Sequence, residues 1–326
     1  MHNYIMAPEL TEGYITSVWE TLPRHLRPTT LIPCPCPALS ERFGCDVTIA
    51  NETFQYTGSF KFRAAYNLLA SVPQQRVVTA SSGNFGQAVA YAGRLLGKTC
   101  TVVMPSTSAQ VKIAAVQSYD GIIDLIDVHQ ISRAERVAQL LQEQPDAFQA
   151  QAYDDYRVVV GNSTLGKDIF NAADFDTIVV PVGGGGLSSG IVIARDYLHK
   201  QTEIIGAEPL SGNDAARSLR IGQLVRNEHE PATIADGART VSLGKLNWEI
   251  LQQGLADIIE VPDALTLQAT QHCFRYVNLK VEPTGALAIG AFFANPERFS
   301  GKRVCCIVSG GNVDPGVYAQ IITAHV

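Results

Sequence analysis

The 326-residue sequence predicts an α/β fold with two open, twisted, mostly parallel sheets flanked by helices. Three observations predict it. Short apolar runs alternate with helix-like segments along most of the chain. The runs lack period-two alternation, so they fit parallel strands buried on both faces. Several of them end in glycine-bearing turns that open a helix, as strands do in βαβ units.

Taken in order, RVVTAS (76–81) precedes the helical FGQAVAYAGRLLG (85–97). TCTVVMP (99–105) leads to AQVKIAAVQSYDG (109–121), and IIDLIDV (122–128) to ISRAERVAQLLQEQ (131–144). These strand-helix pairs define a small domain over 76–153, flanked by Pro73-Gln74-Gln75 and by the YDDY stretch that starts at Tyr153. Residues 1–75 plus 154–326 form the large domain. There DTIVVPVGGGG (176–186) runs into LSSGIVIARDYLHK (187–200), EIIGAEP (203–209) follows, and RVCCIVSGGN (303–312) lies near the end. A cleft between two such lobes is a usual place for a cofactor.

Bulk properties narrow the function. Hydrophobic residues make up 46% and charged residues 17%, which fits a globular chain with a sizeable core. A net charge of −6 provides no basic stripe for nucleic acid or an anionic membrane. No apolar run approaches the roughly 20 residues of a membrane helix. The N-terminal stretch lacks the basic start and apolar run of a signal peptide. The seven cysteines, an odd number, fit free thiols in a reducing compartment, so a cytoplasmic location is expected. Cys34 and Cys36 form a CPC with no second cysteine or histidine pair at zinc-site spacing, which speaks against a metal there.

The chemistry lies at strand ends. In VPVGGGGLSSG, four glycines, Gly183, Gly184, Gly185 and Gly186, join an apolar strand to a helix. Glycines let backbone N–H groups approach an anion, and a helix N-terminus adds donors and a favourable dipole. The loop has neither the Gly-Lys-Ser/Thr ending of a Walker loop nor the spacing of a dinucleotide site. In TASSGNFG, Ser81, Ser82, Gly83 and Asn84 place hydroxyls, an amide and N–H groups at a helix start, where a carboxylate fits. Taken alone, that turn reads more readily as a plain N-cap. CCIVSGGN ends a third strand the same way, at Ser309. Ligands of open α/β sheets bind beyond the carboxyl ends of strands. Lys61, in TGSFKFRAA between Phe60 and Phe62, is then an amine in apolar company. Burial lowers a lysine pKa and frees the amine to attack an aldehyde, whereas a lone lysine would ordinarily snorkel to the surface.

Seven motifs occur in family order: TGSFKFRAA, SSGNFGQAVAYAG, VPVGGGGLSSG, GAEP, TIADGARTVSLG, VEPTGALA and VSGGNVD. On these the chain resembles the serine/threonine dehydratase and serine racemase branch of the tryptophan-synthase-β-like, fold type II pyridoxal-phosphate enzymes. The resemblance implies a lyase that eliminates water from a β-hydroxy amino acid such as serine, threonine or 3-hydroxyaspartate, giving a 2-oxo acid and ammonia. Amino-acid racemisation and β-replacement are the alternatives on this scaffold. It implies pyridoxal 5'-phosphate as cofactor, a small amino-acid substrate and a homodimer.

By the same resemblance, Lys61 is the Schiff-base lysine, with Phe60 beside it, and Gly183 to Gly186 are the phosphate loop. Asn84 meets the ring hydroxyl and Ser309 the pyridine nitrogen. A serine there leaves that nitrogen unprotonated, a milder electron sink that favours elimination. Ser81, Ser82, Gly83 and Asn84 match the substrate-carboxylate loop, with Ser82 as acid/base on the opposite cofactor face. GAEPLSGND matches a divalent-metal site, with Glu208 and Asp214 as carboxylate ligands and the Gly212 carbonyl between them, suited to Mg2+ or Ca2+. The alternative for Glu208 is a local backbone cap. Phe85 departs from the family's usual histidine, Ala64 from a glycine and Asp168 from a glutamate. Arg63 and Arg133 are basic residues that the sequence does not place relative to the pocket.

Overall fold

Two sheets, not one, result from the apolar runs in a computed structural model, which describes residues 7–36, 41–81 and 83–324. The strands are β1 (Thr30–Pro33), β2 (Asp46–Asn51), β3 (Arg76–Ala80), β4 (Thr99–Pro105) and β5 (Ile122–Ile126), followed by β6 (Phe148–Gln149), β7 (Thr177–Pro181), β8 (Glu203–Pro209), β9 (Asp257–Val261) and β10 (Arg303–Val308). The larger sheet has the order β1-β2-β10-β7-β8-β9, parallel except that β1 runs antiparallel to β2. The smaller has the order β5-β4-β3-β6 and is parallel throughout. Every residue of β7 is buried, as its unbroken apolar run requires of a strand covered on both faces. The expected α/β class with two mostly parallel sheets is what the chain adopts.

Helices cover both sheets. They are α1 (Glu12–Thr21), α2 (Lys61–Ala70), α3 (Asn84–Leu96), α4 (Gln110–Ser118), α5 (Arg133–Glu143) and α6 (Tyr156–Ala172), then α7 (Gly186–Tyr197), α8 (Asp214–Ile221), α9 (Lys245–Gly254), α10 (Asp263–His272), α11 (Pro283–Ala294) and α12 (Pro315–Thr323). Their ends are written in the sequence. Ser132 and Glu135 form a reciprocal capping box on α5, and Asp155 caps α6 through Arg157 N–H at 2.8 Å. Gly97, at φ +67°, closes α3 in the left-handed conformation. Among the described residues, no helix is long and apolar enough to cross a membrane.

One strand escapes sequence reading. β6 is two residues long and shows no period, yet it pairs with β3 (Val77 with Phe148, Val78 with Gln149). That pairing delivers Ala152 and Tyr153 to the mouth of the large sheet.

A buried ion pair locks α2 in place. Arg63 is 1% exposed, and its Nε and Nη2 donate to both oxygens of Glu52 at 2.7 and 2.9 Å. Nη2 also reaches Asp168 Oδ2 at 2.9 Å and Thr29 Oγ1 at 2.9 Å, and Nη1 reaches Thr164 Oγ1 at 3.2 Å. Arg63 is therefore outside the pocket, and Asp168 is one of its structural partners. Removing one side of a buried pair leaves the other charge uncompensated, at a cost of about 3–5 kcal/mol. Arg63→Leu is expected to lower the unfolding free energy by that order in urea titration. A change below about 1 kcal/mol would show that the network contributes little.

Candidate active site

Six strand ends meet at one cavity of about 610 Å3. Chain leaving β3 contributes Ser81, Gly83 and Asn84, and chain leaving β4 contributes Thr107 and Ser108. The segment after β6 adds Ala152 and Tyr153, the one after β7 adds Gly183 to Gly186, and the one after β10 adds Ser309 and Asn312. The sixth, after β2, carries Phe60 and Lys61. The size suits a small ligand with a cofactor, and the position follows the strand-end rule of open sheets. The structure thus brings together Lys61, Phe60, Ser81, Gly83, Asn84, the four glycines and Ser309. Ser82 lies outside the described residues.

Lys61 is the first residue of α2, and Phe60 leads into it. Phe60 N–H donates to Ser309 O at 3.0 Å, Gly311 N–H donates to Gly58 O at 3.0 Å, and Ser59 bridges Gly310. The lysine-bearing segment is therefore laced to the end of β10. Lys61 Nζ donates to Ala152 O at 3.1 Å and lies 5.0 Å from the Phe60 ring centre and 5.7 Å from that of Phe85. Burial lowers its pKa to about 8, against the opposing pull of Glu282. The neutral amine is therefore far more populated at neutral pH than in an ordinary lysine, though still the minor form.

The glycine loop is as tight as its composition requires. Gly185 has φ +91°, a conformation that side chains resist. A Cβ on Gly184 would lie 2.3 Å from the Tyr153 ring. The Gly184 carbonyl is turned away, accepting from Asn247 Nδ2 at 2.7 Å and from Gly244 N–H at 3.1 Å. The N–H groups of Gly183, Gly184 and Gly185 have no acceptor among the described residues. Orphan donors beside the first turn of α7 form a cradle for a phosphate.

Asn84 opens α3 and sits in a chain of polar contacts. Asn312 Nδ2 donates to Asn84 Oδ1 at 2.8 Å, and Asn84 Nδ2 donates to Glu282 Oε1 at 2.6 Å. Glu282 lies in VEPTGALA, a motif that by itself assigns it no role. Burial, reinforced by the Asp236 carboxylate, raises its pKa to about 8, so it is largely protonated at neutral pH. Its signal was a glutamate just before the proline that opens α11. Three cations belong to the cavity wall: Arg133, which the sequence alone does not place, and Lys112 and Arg239, to which the sequence alone gives no role. Lys112 pairs with Asp236 at 2.6 Å, Arg133 pairs with Glu230, and Arg239 holds Thr233 O through Nε at 2.9 Å and through Nη2. Ser309 is buried and lines the cavity just beyond the end of β10.

Glu208, Gly212 and Asp214 lie apart from this lining. Both Glu208 oxygens accept from the start of α8, from Ala215 N–H at 2.9 Å and from Ala216 N–H at 2.8 Å. That is the capping arrangement. Gly212 packs against Pro231, where a Cβ would approach to 2.6 Å. Asp214 Oδ1 accepts from Asn227 Nδ2 at 2.9 Å, while Oδ2 is buried with no partner among the described residues. Burial raises the Asp214 pKa to about 6.

Comparison with known proteins shows the family. The profile of the pyridoxal-phosphate dependent enzyme family matches residues 22–310. The L-threo-3-hydroxyaspartate ammonia-lyase of a Pseudomonas species is 35% identical over 98% of each chain. The serine racemase of Schizosaccharomyces pombe is 34% identical, over 87% of this chain and 89% of its own. The crystal structure of maize serine racemase superposes with a TM-score of 0.87 at 29% identity, covering 94% of this chain and 95% of that one.

The crowding at Gly184 yields a direct test. Gly184→Ala forces the Tyr153 ring or the loop to move, because the ring cannot yield as a flexible side-chain end does. Pyridoxal phosphate affinity, titrated by protein fluorescence, is expected to fall about tenfold or more, equivalent to roughly 1.4 kcal/mol. Unaltered affinity would remove the loop from the site.

Proposed function

Since the chain belongs to the pyridoxal-phosphate dependent enzyme family and is a lyase of a small amino-acid substrate, we propose that it dehydrates a β-hydroxy amino acid with a second carboxylate, of the 3-hydroxyaspartate kind. The observation that carries this reading is Arg239, a cavity-lining cation with no carboxylate partner among the described residues, in the cavity that also contains Lys61, whereas Lys112 and Arg133 are paired with Asp236 and Glu230. A second carboxylate needs a cation, and a plain serine or threonine side chain does not. The similarity to the Pseudomonas ammonia-lyase over nearly the whole chain supports the same substrate class. Phe85, in place of the family's usual histidine, keeps the lysine side of the pocket apolar.

Pyridoxal phosphate, when bound, supplies an aldehyde that takes up amines and a ring that withdraws charge from the substrate Cα. Lys61 Nζ would hold the aldehyde, Gly183 to Gly186 the phosphate, Asn84 the ring hydroxyl and Ser309 the ring nitrogen. Ser81, Gly83 and Asn84 bind the substrate's α-carboxylate, with Ser82 completing that loop. Lys61 Nζ, when free as an amine, would accept the Cα proton, which its lowered pKa favours near neutral pH. Glu282, kept neutral by burial, holds Asn84 in orientation without adding a charge. The serine racemase relative supports racemisation as a second activity, with Ser82 as the base for the other hand.

The four-stranded and six-stranded sheets serve as the small and large lobes, 76–153 and 1–75 plus 154–326. Asp214 and Glu208, with the Gly212 carbonyl, bind a divalent cation of the Mg2+ or Ca2+ class, a reading supported by the unpartnered Asp214 Oδ2. None of the seven cysteines is in a disulfide, which fits the cytoplasm. The exposed Phe274 and Tyr276 offer an apolar patch for a homodimer.

A panel of β-hydroxy amino acids, both enantiomers, scored for 2-oxo acid and for chirality, tests the reaction. The kcat/KM for 3-hydroxyaspartate is expected to exceed that for serine about tenfold or more, and Arg239→Gln to erase that margin. Equal rates on serine would overturn the assignment, and a product of inverted chirality without oxo acid would make it a racemase. Lys61→Ala is expected to abolish turnover. Because the folded Lys61 pKa is depressed to about 8, cofactor uptake by stripped protein should accelerate as pH rises to about 8 and level off above it. A rate flat across that range would contradict a buried amine. Millimolar Mg2+ or Ca2+ is expected to raise the Tm of the native protein but not of Asp214→Asn. An equal rise in both would locate the cation elsewhere.

A further inference from the structure

Away from the cavity, the fold assembles a second cluster with ligand chemistry. Cys34 and Cys36 follow the edge strand β1, and His272 ends α10. Cys34 Sγ lies 3.7 Å from Cys36 Sγ and 3.8 Å from His272 Nε2, and Cys36 Sγ lies 3.4 Å from the same nitrogen. All three donor atoms fall within 4.8 Å of one another, a convergence of three metal-ligating side chains from two distant parts of the chain. From these atoms we infer a site for a thiophilic, tetrahedral cation of the zinc class, held by Cys34, Cys36 and His272.

Three arguments carry this. The first is metric. Tetrahedral zinc, with bonds of about 2.3 Å to sulfur and about 2.05 Å to nitrogen, needs ligand separations of about 3.8 Å between sulfurs and about 3.6 Å from sulfur to nitrogen. The observed triangle has edges of 3.7, 3.8 and 3.4 Å, so three corners of the tetrahedron are already in place. The second is preorganisation. Cys34 N–H is fixed to Val47 O at 2.8 Å, and both cysteines are buried in the core beneath the large sheet. The His272 ring is set edge-on against Phe293 at 5.4 Å and beside Tyr276 at 4.9 Å. The third is local backbone. The chain after His272 winds as a π-turn over Cys273–Val277, an irregularity that recurs at functional sites.

Donor softness selects the ion. Two sulfurs and an imidazole favour zinc-class or cuprous ions over the Mg2+ or Ca2+ that carboxylates prefer. Binding is an exchange without redox change: Zn2+ enters, two Zn–S bonds and one Zn–N bond form, and each thiol still protonated releases its proton to solvent. Three protein ligands leave a fourth position for water. None of the three lines the catalytic cavity, so the ion acts as a clamp between the edge strand and α10. Sequence spacing does not reveal the site, because its third ligand lies 236 residues beyond Cys36.

The test uses the reduced, cofactor-loaded protein. Native mass spectrometry of the wild-type chain is expected to show uptake of one zinc with loss of two protons. Cobalt(II) in its place should give a thiolate-to-metal band in the near ultraviolet and the visible bands of a tetrahedral ion. Cys36→Ser should lose the thiolate band at least tenfold while keeping cofactor absorbance and turnover. Cys100→Ser, a buried thiol in the other sheet, should keep it. The inference is overturned by wild-type protein with no added metal mass and no thiolate band. It is overturned equally by a Cys34–Cys36 disulfide with no metal uptake after reduction, or by a band that survives in the Cys34→Ser/Cys36→Ser variant.

Discussion

The guanidinium of Arg63 is the tie on which the cleft depends. It stands two residues beyond Lys61, on the same first turn of α2, and it is sealed from water. A buried cation is tolerable only when its donors are matched, and here Glu52 takes it on both oxygens while Asp168, Thr29, Thr164 and the Arg27 carbonyl accept as well. Those partners belong to different elements. Glu52 follows β2 and donates its own N–H to Val308 O at the end of β10, and Asp168 rides on α6. One planar fork therefore sets the rotation of α2 against both β10 and α6. Lys61 cannot turn away from the cavity without breaking that fork.

With α2 fixed, burial shapes the charge inside. The same desolvation acts on Lys61 and Glu282 in opposite chemical directions, lowering the amine and raising the acid, each to about 8. Both changes favour the neutral form. At neutral pH Glu282 is therefore largely neutral while Lys61, though shifted toward the free amine, still carries its charge in most molecules, and the cations Lys112 and Arg133 stay paired with Asp236 and Glu230 nearer solvent. The second carboxylate of the proposed substrate would meet Arg239 at the cavity wall, a cation with no carboxylate partner among the described residues. The lowered Lys61 pKa lets the amine exchange protons near neutral pH.

Legibility in the sequence followed the range of the interaction. The glycine loop could be read because its signal is local, a strand, a turn and a helix start in consecutive residues, although the contact of Tyr153 with Gly184 could not be. The strand ends with SSGN and SGGN could be read for the same reason. The role of Arg63 could not, because Glu52 and Asp168 become its partners only after two helices and a strand have packed. Glu282 was hidden likewise, since nothing in VEPTG announces that its carboxyl meets Asn84, 198 residues earlier. β6 was hidden by being too short to carry a period. The Glu208 oxygens, matched by resemblance to a metal site, are engaged by the N–H groups that open α8.

TGSFKFRAA shows how a short stretch records all of this at once. Thr57 has φ +60° and Gly58 φ +72°, two consecutive left-handed residues, and the first is β-branched. Such a conformation on threonine costs of order 1–3 kcal/mol and persists only where the surroundings impose it. The imposing groups are at the end of β10: Asn312 Nδ2 donates to Thr57 O at 2.6 Å, and its Oδ1 sits where a Cβ on Gly58 would come within 2.5 Å. The double left-handed step reverses the chain so that Ser59 and Phe60 can run antiparallel to Ser309–Gly311. Without that reversal, α2 would begin pointing away from the strand ends. The strain at Thr57 and the buried fork at Arg63 therefore act on the two sides of one residue, and between them they leave the Lys61 amine a single direction to point.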